Sequence, residues 1–167
     1  MILNVEGEQE KCLHTCCFTG HRPEKLKRGG DEIKTALQKE ISAAVAEGFT
    51  TFICGMARGV DLWAAKLVLD IRKEHPHIKL ICAVPYRGFE KNWPLEWQGF
   101  YHVVLLMADE VKKIQPAFSY SVFRERNQWM ISHSARIIAV YNGKSGGTRN
   151  TLAYARKQKL QICLIEG

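Results

Sequence analysis

The sequence predicts an α/β fold, a three-layer sandwich with helices on both faces of a mostly parallel sheet. Three observations predict it. Short apolar runs of strand length alternate with longer stretches of helical period, about five times along the chain. The short runs are almost entirely apolar, the pattern of strands buried on both faces. Most of the runs end at a glycine, proline or asparagine that opens a loop before the next helix. Right-handed crossovers then set the C-terminal ends of the strands along one edge, a Rossmann-like arrangement in which a ligand sits outside those ends.

The elements follow in order. Residues 1–11 are polar after Met1-Ile2-Leu3 and read as a loose N-terminal extension; residues 12–167 read as a single domain, with no internal repeat and no linker. The first strand is expected at 14–19, ending at Gly20. Residues 31–47 place Ile33, Leu37, Ile41, Ala44 and Val45 on one helical face, and Gly48 stands where a left-handed cap is wanted. A strand over 50–54 ends at Gly55, and a helix over 60–73 is stopped by Pro76. The third strand covers 79–84 and ends at Pro85. Residues 92–108 hold a helix with Trp93, Trp97, Phe100, Tyr101 and Val104, followed by a short strand at 110–114. A helix over 119–132, a strand over 136–141, a helix over 147–159 and a closing strand over 161–165 complete the chain.

Composition bounds the function. The 167 residues are 46% hydrophobic and 25% charged, ordinary for one globular domain with a single sizeable core. The net charge of +7 favours an anionic partner, or simply a solvated basic surface. Cys54 and Cys82 sit inside apolar runs and read as buried thiols of a reducing compartment. Cys12, Cys16 and Cys17 lack a second C-x-x-C pair, and Cys16 and Cys17 point to opposite faces of a strand, so no metal site is expected. No stretch reads as a signal peptide or a membrane span, and a cytoplasmic location is expected.

The loops after the strands carry the chemistry. The segment from Tyr141 to Thr148, with Asn142, Gly146 and Gly147, joins a strand to a helix. Its glycines let backbone amides approach a phosphate at a helix N-terminus, and Lys144 and Arg149 add charge; the plainer alternative is a turn capped by Thr148. Gly143-Lys144-Ser145 is not a P-loop, because the glycine required five positions earlier is Ile138, and no G-x-G-x-x-G exists. In the segment 54–61, Gly55, Ala57 and Gly59 keep the loop open, and Asp61 either binds a ribose hydroxyl or stabilises the first turn of its helix. Thr19-Gly20-His21-Arg22-Pro23 supplies a guanidinium fork for phosphate and an imidazole. Arg126 and Asn127 either reach the site or lie on a solvated face. The aromatic run from Tyr86 to Tyr101 is expected to pack a helix on the sheet or on a second subunit, rather than to stack on bases, with Tyr86 beside Pro85 facing a ligand.

Gly20-His21-Arg22-Pro23, Gly55 to Asp61, Arg126 to Met130 and Gly146-Gly147-Thr148 occur in this order. The pattern, across about residues 12–167, resembles the YpsA/YoqJ-like family of the SLOG superfamily, which also includes the DNA-processing protein DprA and the LOG phosphoribohydrolases. The resemblance implies a Rossmann-like fold and a pocket for a nucleotide or nucleotide-derived ligand. The motifs together nominate Thr19, Gly20, His21, Arg22, Gly55, Met56, Ala57, Asp61, Pro85, Tyr86, Arg126, Asn127, Asn142, Gly146, Gly147 and Thr148 as ligand-binding. The LOG motif carries a glutamate three residues after the threonine; here that position is Thr151. Glu90, Glu96 and Glu125 are the carboxylates that would have to replace it. The expected function is therefore binding of a small-molecule nucleotide or ADP-ribose-like ligand by a sensor or signalling module. The alternatives are hydrolysis of an N-glycosidic or phosphate bond, and DprA-like single-stranded DNA binding. No cofactor is required, magnesium would enter only with a polyphosphate, and the resemblance leaves a homodimer open.

Overall fold

The structure, a computed structural model, describes residues 9, 10 and 12–167. Gln9, Glu10, Cys12 and Leu13 have helical backbone, so this part of the lead into the first strand is not irregular; the remainder of the expected extension lies outside the described residues. The elements then run β1 (Thr15–Thr19), a 3₁₀ turn (Pro23–Lys25), α1 (Gly30–Ala46), β2 (Thr51–Cys54), α2 (Val60–Glu74), β3 (Lys79–Val84), α3 (Leu95–Met107), β4 (Glu110–Lys113), α4 (Val122–Ser132), β5 (Arg136–Tyr141), α5 (Gly147–Lys157) and β6 (Gln161–Glu166).

All five strand pairings are parallel, in the order β4-β3-β2-β1-β5-β6. The chain winds outward from β1 to β4, then returns to the other side of β1. The order therefore reverses between β1 and β5, and such a switch point leaves a crevice at the strand C-terminal ends. Helices α1, α2 and α3 pack side by side on one face, and α4 and α5 on the other. The larger core lies under the first group and contains Phe18, Phe52, Leu37 and Ile41; the smaller one lies under the second and contains Ile53, Ile137 and Ile131. Cys16 belongs to the larger core and Cys17 to the smaller, as the pleat of a strand requires. The six cysteines are free thiols, and burial raises those of Cys16, Cys17, Cys54 and Cys82.

Helix ends follow local chemistry. Gly48 takes φ +96° just past α1, and its amide donates to the Val45 carbonyl. Helix α2 stops at Glu74, two residues before Pro76. The expectation of strands buried on both faces fails at both edges. All four residues of β4 are exposed, and β6 is only partly covered, because each has a neighbour on one side alone. By contrast, β1 is buried along its whole length.

Core and edge should respond differently to truncation. Phe52→Ala is expected to lower the unfolding free energy by about 3–5 kcal/mol, and Lys112→Ala at the exposed edge to stay within about 0.5 kcal/mol, both read from urea unfolding midpoints.

Candidate phosphate-binding cleft

Loops from β1, β2, β3 and β5 converge at the switch point around a cleft of about 290 Å³. The lining is cationic: Arg22, Lys25, Arg58 and Arg126 belong to it, against Asp61 as the one acid. The lining also carries the aromatic rings Phe89, Trp93 and Phe123, together with Phe18 and Met130. The Arg126 guanidinium lies 6.0 Å from the Phe123 ring centroid.

Two glycines allow the loops to meet. Gly59 has φ +89°, and a Cβ there would stand 2.8 Å from the His21 carbonyl oxygen. This close approach lets the β2–α2 loop rest on the β1 loop, where Arg58 Nη2 also donates to Glu24 Oε1 at 3.0 Å. A Cβ on Gly55 would stand 2.8 Å from Asp61 Oδ2 and 3.0 Å from Arg126 Nη1. Only a bare backbone at position 55 leaves room for both side chains.

A continuous run of hydrogen bonds starts there. Arg126 Nη1 donates to the Gly55 carbonyl, and Arg126 Nε donates to Asn127 Oδ1 at 2.8 Å. Asn127 Nδ2 donates to Thr151 Oγ1 at 2.9 Å, and Thr151 Oγ1 donates to the Gly147 carbonyl at 2.8 Å. The β2 loop, α4 and the start of α5 are thus held in one register. Thr151, at the LOG glutamate position, is a structural link in this run.

Electrostatics complete the cleft. Asp61 and Arg126 are 7% and 8% exposed. Burial raises the Asp61 carboxyl, opposed by the nearby Arg126 charge and by the Ala57 amide, which donates to Oδ2 at 3.1 Å. Burial likewise lowers the Arg126 guanidinium, and Asp61 counters it. Burial first, then Lys25, lowers the His21 imidazole, so it is neutral at pH 7. The ring stacks on Tyr141 at 6.0 Å between centroids, and Nε2 is buried with no hydrogen-bond partner among the described residues. Helix α5 begins at Gly147 without a side-chain cap, so its first amides stay available beside Thr148.

Of the residues the sequence nominated, Thr19, Gly20, His21, Arg22, Ala57, Asp61, Arg126, Asn127, Gly147 and Thr148 line the cleft. Gly55, Met56, Pro85, Tyr86, Asn142 and Gly146 do not. Gly55 acts through its carbonyl. Met56, at φ +65°, is fully buried in the core. Pro85 is buried, and its carbonyl accepts from the Gln115 amide. The Tyr86 ring packs on Phe89, Phe118 and Phe123, next to rings that line the cleft. Asn142 bonds the Lys25 carbonyl and the Lys144 amide, which braces the turn, and Gly146 supplies the positive φ before α5. Lys144 and Arg149 are exposed outside the lining.

Lys25, Arg58, Phe89, Trp93 and Phe123 were not nominated and do line it. The aromatic run thus divides: Trp97 packs on Trp63 of α2 as expected for a packing helix, while Phe89 and Trp93 turn to the cleft. None of the three replacement glutamates lines it. Glu90 is buried with Oε1 3.5 Å from His102 Nε2, Glu96 is exposed, and Glu125 is bonded by Ser121 and Gln115. A second hollow of about 400 Å³, lined by Lys27, Tyr141, Asn142, Gly143, Leu164 and Glu166, balances one lysine with one acid and offers no helix start.

The YpsA family model, described as the YspA SLOG family, matches residues 16–165. The chain belongs to the YpsA family of SLOG proteins. Its YpsA-family relatives include the SPbeta prophage-derived protein YoqJ of Bacillus subtilis (strain 168), 38% identical over 65% of this chain and 71% of that protein. A UPF0398 protein of Bacillus thuringiensis (strain Al Hakam) is 32% identical over 90% of this chain and 86% of that protein. The fold is similar to DNA processing protein A (DprA) from Streptococcus pneumoniae, with TM-score 0.65 and 18% identity; the match covers 93% of this chain and 51%, about half, of that one. It is also similar to DprA from Helicobacter pylori, described for its single-stranded DNA binding mode, with TM-score 0.67, 16% identity and coverage of 96% and 68%. At these identities the DprA likeness shows the fold, and it agrees with the Rossmann-like architecture expected of the YpsA family. Among the described residues no helix is long and apolar enough to cross a membrane, and no group of three His, Cys, Asp or Glu side chains is placed to hold a metal.

The neutral, buried His21 gives a pH signature. Its folded value lies below the unfolded value of about 6.5. In that window the unfolded chain binds more protons, so the stability His21 contributes is complete above about pH 6.5 and is lost as pH falls below it. Wild type should lose more melting temperature than His21→Gln between about pH 7.5 and pH 5.5; equal losses would show that His21 titrates normally.

Proposed function

We propose that the chain binds a nucleotide-like phosphate ligand in this cleft, as a sensor or signalling module. The observation that carries the reading is that one cleft combines an anion cradle with aromatic rings in its lining. The cradle consists of the uncapped start of α5, Arg22 and Lys25, with His21 beside them in the lining. Phosphate on those amides gains from the helix dipole and from charge-assisted bonds. A base then rests against Phe89, Trp93 or Phe123, and Asp61 meets a ribose hydroxyl. Ligand pockets run from about 300 to 1,000 Å³, so a cleft of about 290 Å³ fits one nucleoside phosphate better than two linked nucleotides.

The test is a thermal-shift panel of AMP, ADP, ATP and ADP-ribose on wild type and on Gly147→Leu. Nothing lies within 4 Å of a Cβ built at Gly147, so leucine fits the fold while filling the cleft mouth. A ligand at a hundred times its dissociation constant stabilises wild type by about 2.7 kcal/mol, and the variant should lose that shift while keeping its own melt. A shift equal in both proteins would move the ligand elsewhere. Product analysis on the binding nucleotide, with Asp61→Asn as the control, tests hydrolysis, since Asp61 is the one carboxylate in the lining.

A second reading, single-stranded DNA binding, is favoured by a separate observation. Lys144, Arg149, Arg156, Lys157 and Lys159 surround α5 with no acid between 144 and 160, and none of them forms an ion pair among the described residues. The dipole accounts for cations at the end of α5 but not for Arg149 in its first turn. The H. pylori neighbour, described as a single-stranded DNA binder, is consistent with this reading. A labelled oligo(dT) should bind with an affinity that falls with salt, and Arg156→Glu/Lys157→Glu should reduce the log–log slope by about 1.4. An unchanged slope would remove α5 from the interface.

A further inference from the structure

We propose that Asp61 and the third nitrogen of Arg126 together read the vicinal hydroxyls of a ribose, so that the cleft takes ribonucleotides and rejects nucleotides whose sugar lacks those hydroxyls. The proposal rests on the nucleotide reading of the cleft and narrows it to one sugar.

Both side chains are more than nine-tenths buried, and both line the cleft. They flank one point: a Cβ on Gly55 would stand 2.8 Å from Asp61 Oδ2 and 3.0 Å from Arg126 Nη1. Yet the two charges do not close into an ion pair, and no ion pair among the described residues includes either of them. Their other bonds hold them apart. Arg126 spends Nη1 on the Gly55 carbonyl and Nε on Asn127, and Asp61 accepts the Ala57 amide at Oδ2.

Each is left with one atom to spare. Arg126 Nη2 and Asp61 Oδ1 have no hydrogen-bond partner among the described residues, and neither belongs to the polar atoms buried without one, so both meet solvent. Since both residues line the cleft, an open donor and an open acceptor are held there side by side.

The pair selects by chemistry. A phosphate oxygen would satisfy Arg126 and set a second anion against Asp61. An ammonium would satisfy Asp61 and face Arg126. A hydroxyl satisfies both, because it accepts through its oxygen and donates its proton. In a nucleotide the hydroxyls belong to the sugar, the part joined directly to the phosphate. The slot is tied to the start of α5, where phosphate rests in this reading, by only three hydrogen bonds, through Asn127 and Thr151 to the Gly147 carbonyl.

A sugar without the hydroxyls leaves the donor and the acceptor unpaired. A site built to bond a hydroxyl rejects the analogue lacking it far more strongly than an apolar pocket rejects a missing methylene. Residues within a DNA strand carry neither a 2′-hydroxyl nor a free 3′-hydroxyl, so the slot disfavours them.

Isothermal titration calorimetry on the full chain, with AMP and with 2′,3′-dideoxy-AMP, tests this. Wild type should bind AMP at least about tenfold more tightly. Asp61→Asn keeps the side-chain shape and an acceptor for the Ala57 amide, but turns the open acceptor into a donor. It should weaken AMP and leave 2′,3′-dideoxy-AMP bound at least as tightly as in wild type, since the repelling charge is gone, so that the two affinities converge. Equal affinities in wild type, the full preference kept in Asp61→Asn, or both nucleotides weakened alike by it would overturn the proposal and leave the cleft reading standing. Failure of both nucleotides to bind wild type would overturn the cleft reading and this proposal with it.

Discussion

The cleft depends on one buried guanidinium. Arg126 lies beneath the switch point with Asp61 as the acid beside it, and burial opposes both charges. A buried charge is tolerated when its donors are used, and here two of the three nitrogens are: one holds the Gly55 carbonyl, 71 residues away in sequence, and another holds Asn127. Asn127 passes the constraint to Thr151, and Thr151 to the Gly147 carbonyl. The β2 loop, α4 and the start of α5, distant parts of the chain, are fixed by side chains that individually look like solvated helix residues. The absence of a Cβ at Gly55 is what leaves room for the pair.

This arrangement separates support from reception. Arg126, Asn127 and Thr151 spend much of their hydrogen-bonding capacity on the protein. The groups left over, namely the first amides of α5, Arg22 and Lys25, face the cleft without protein partners that would satisfy them fully. Arg58 is partly neutralised by Glu24. The surplus positive charge therefore lies in the cleft, while the aromatic rings of the lining are held by their own packing, with Phe89 in edge contact with Trp93 and Tyr101.

Much of this was legible in the sequence. The fold was, because central strands such as 136–141 are unbroken apolar runs and helices such as α1 keep a clean helical period. The glycine-bearing loops also announced themselves. Edge strand β4 was harder to judge: Glu110, Lys112 and Lys113 belong to a strand with solvent on one side, and position in a sheet is not written in a four-residue segment. The aromatic part of the lining was hidden for a related reason. Trp93 and Trp97 share helical spacing, but the helix starts only at Leu95, so Trp93 sits in the preceding loop and turns away from Trp97. Lys25 and Arg58 enter the cleft through the 3₁₀ turn and the close contact at Gly59, both of which are tertiary facts. Asn142 and Met56 looked like ligand residues because they occupy the right loops, yet their bonds and burial go inward.

The most direct test of the central claim, that phosphate rests on the start of α5, is an amide ¹H–¹⁵N NMR titration of the full chain with AMP. The account predicts saturable shifts at Gly147, Thr148 and Ala57, with the His21 imidazole resonances moving at the same concentration. Shifts confined to the exposed end of α5, or no saturable shift at the Gly147 and Thr148 amides, would contradict it.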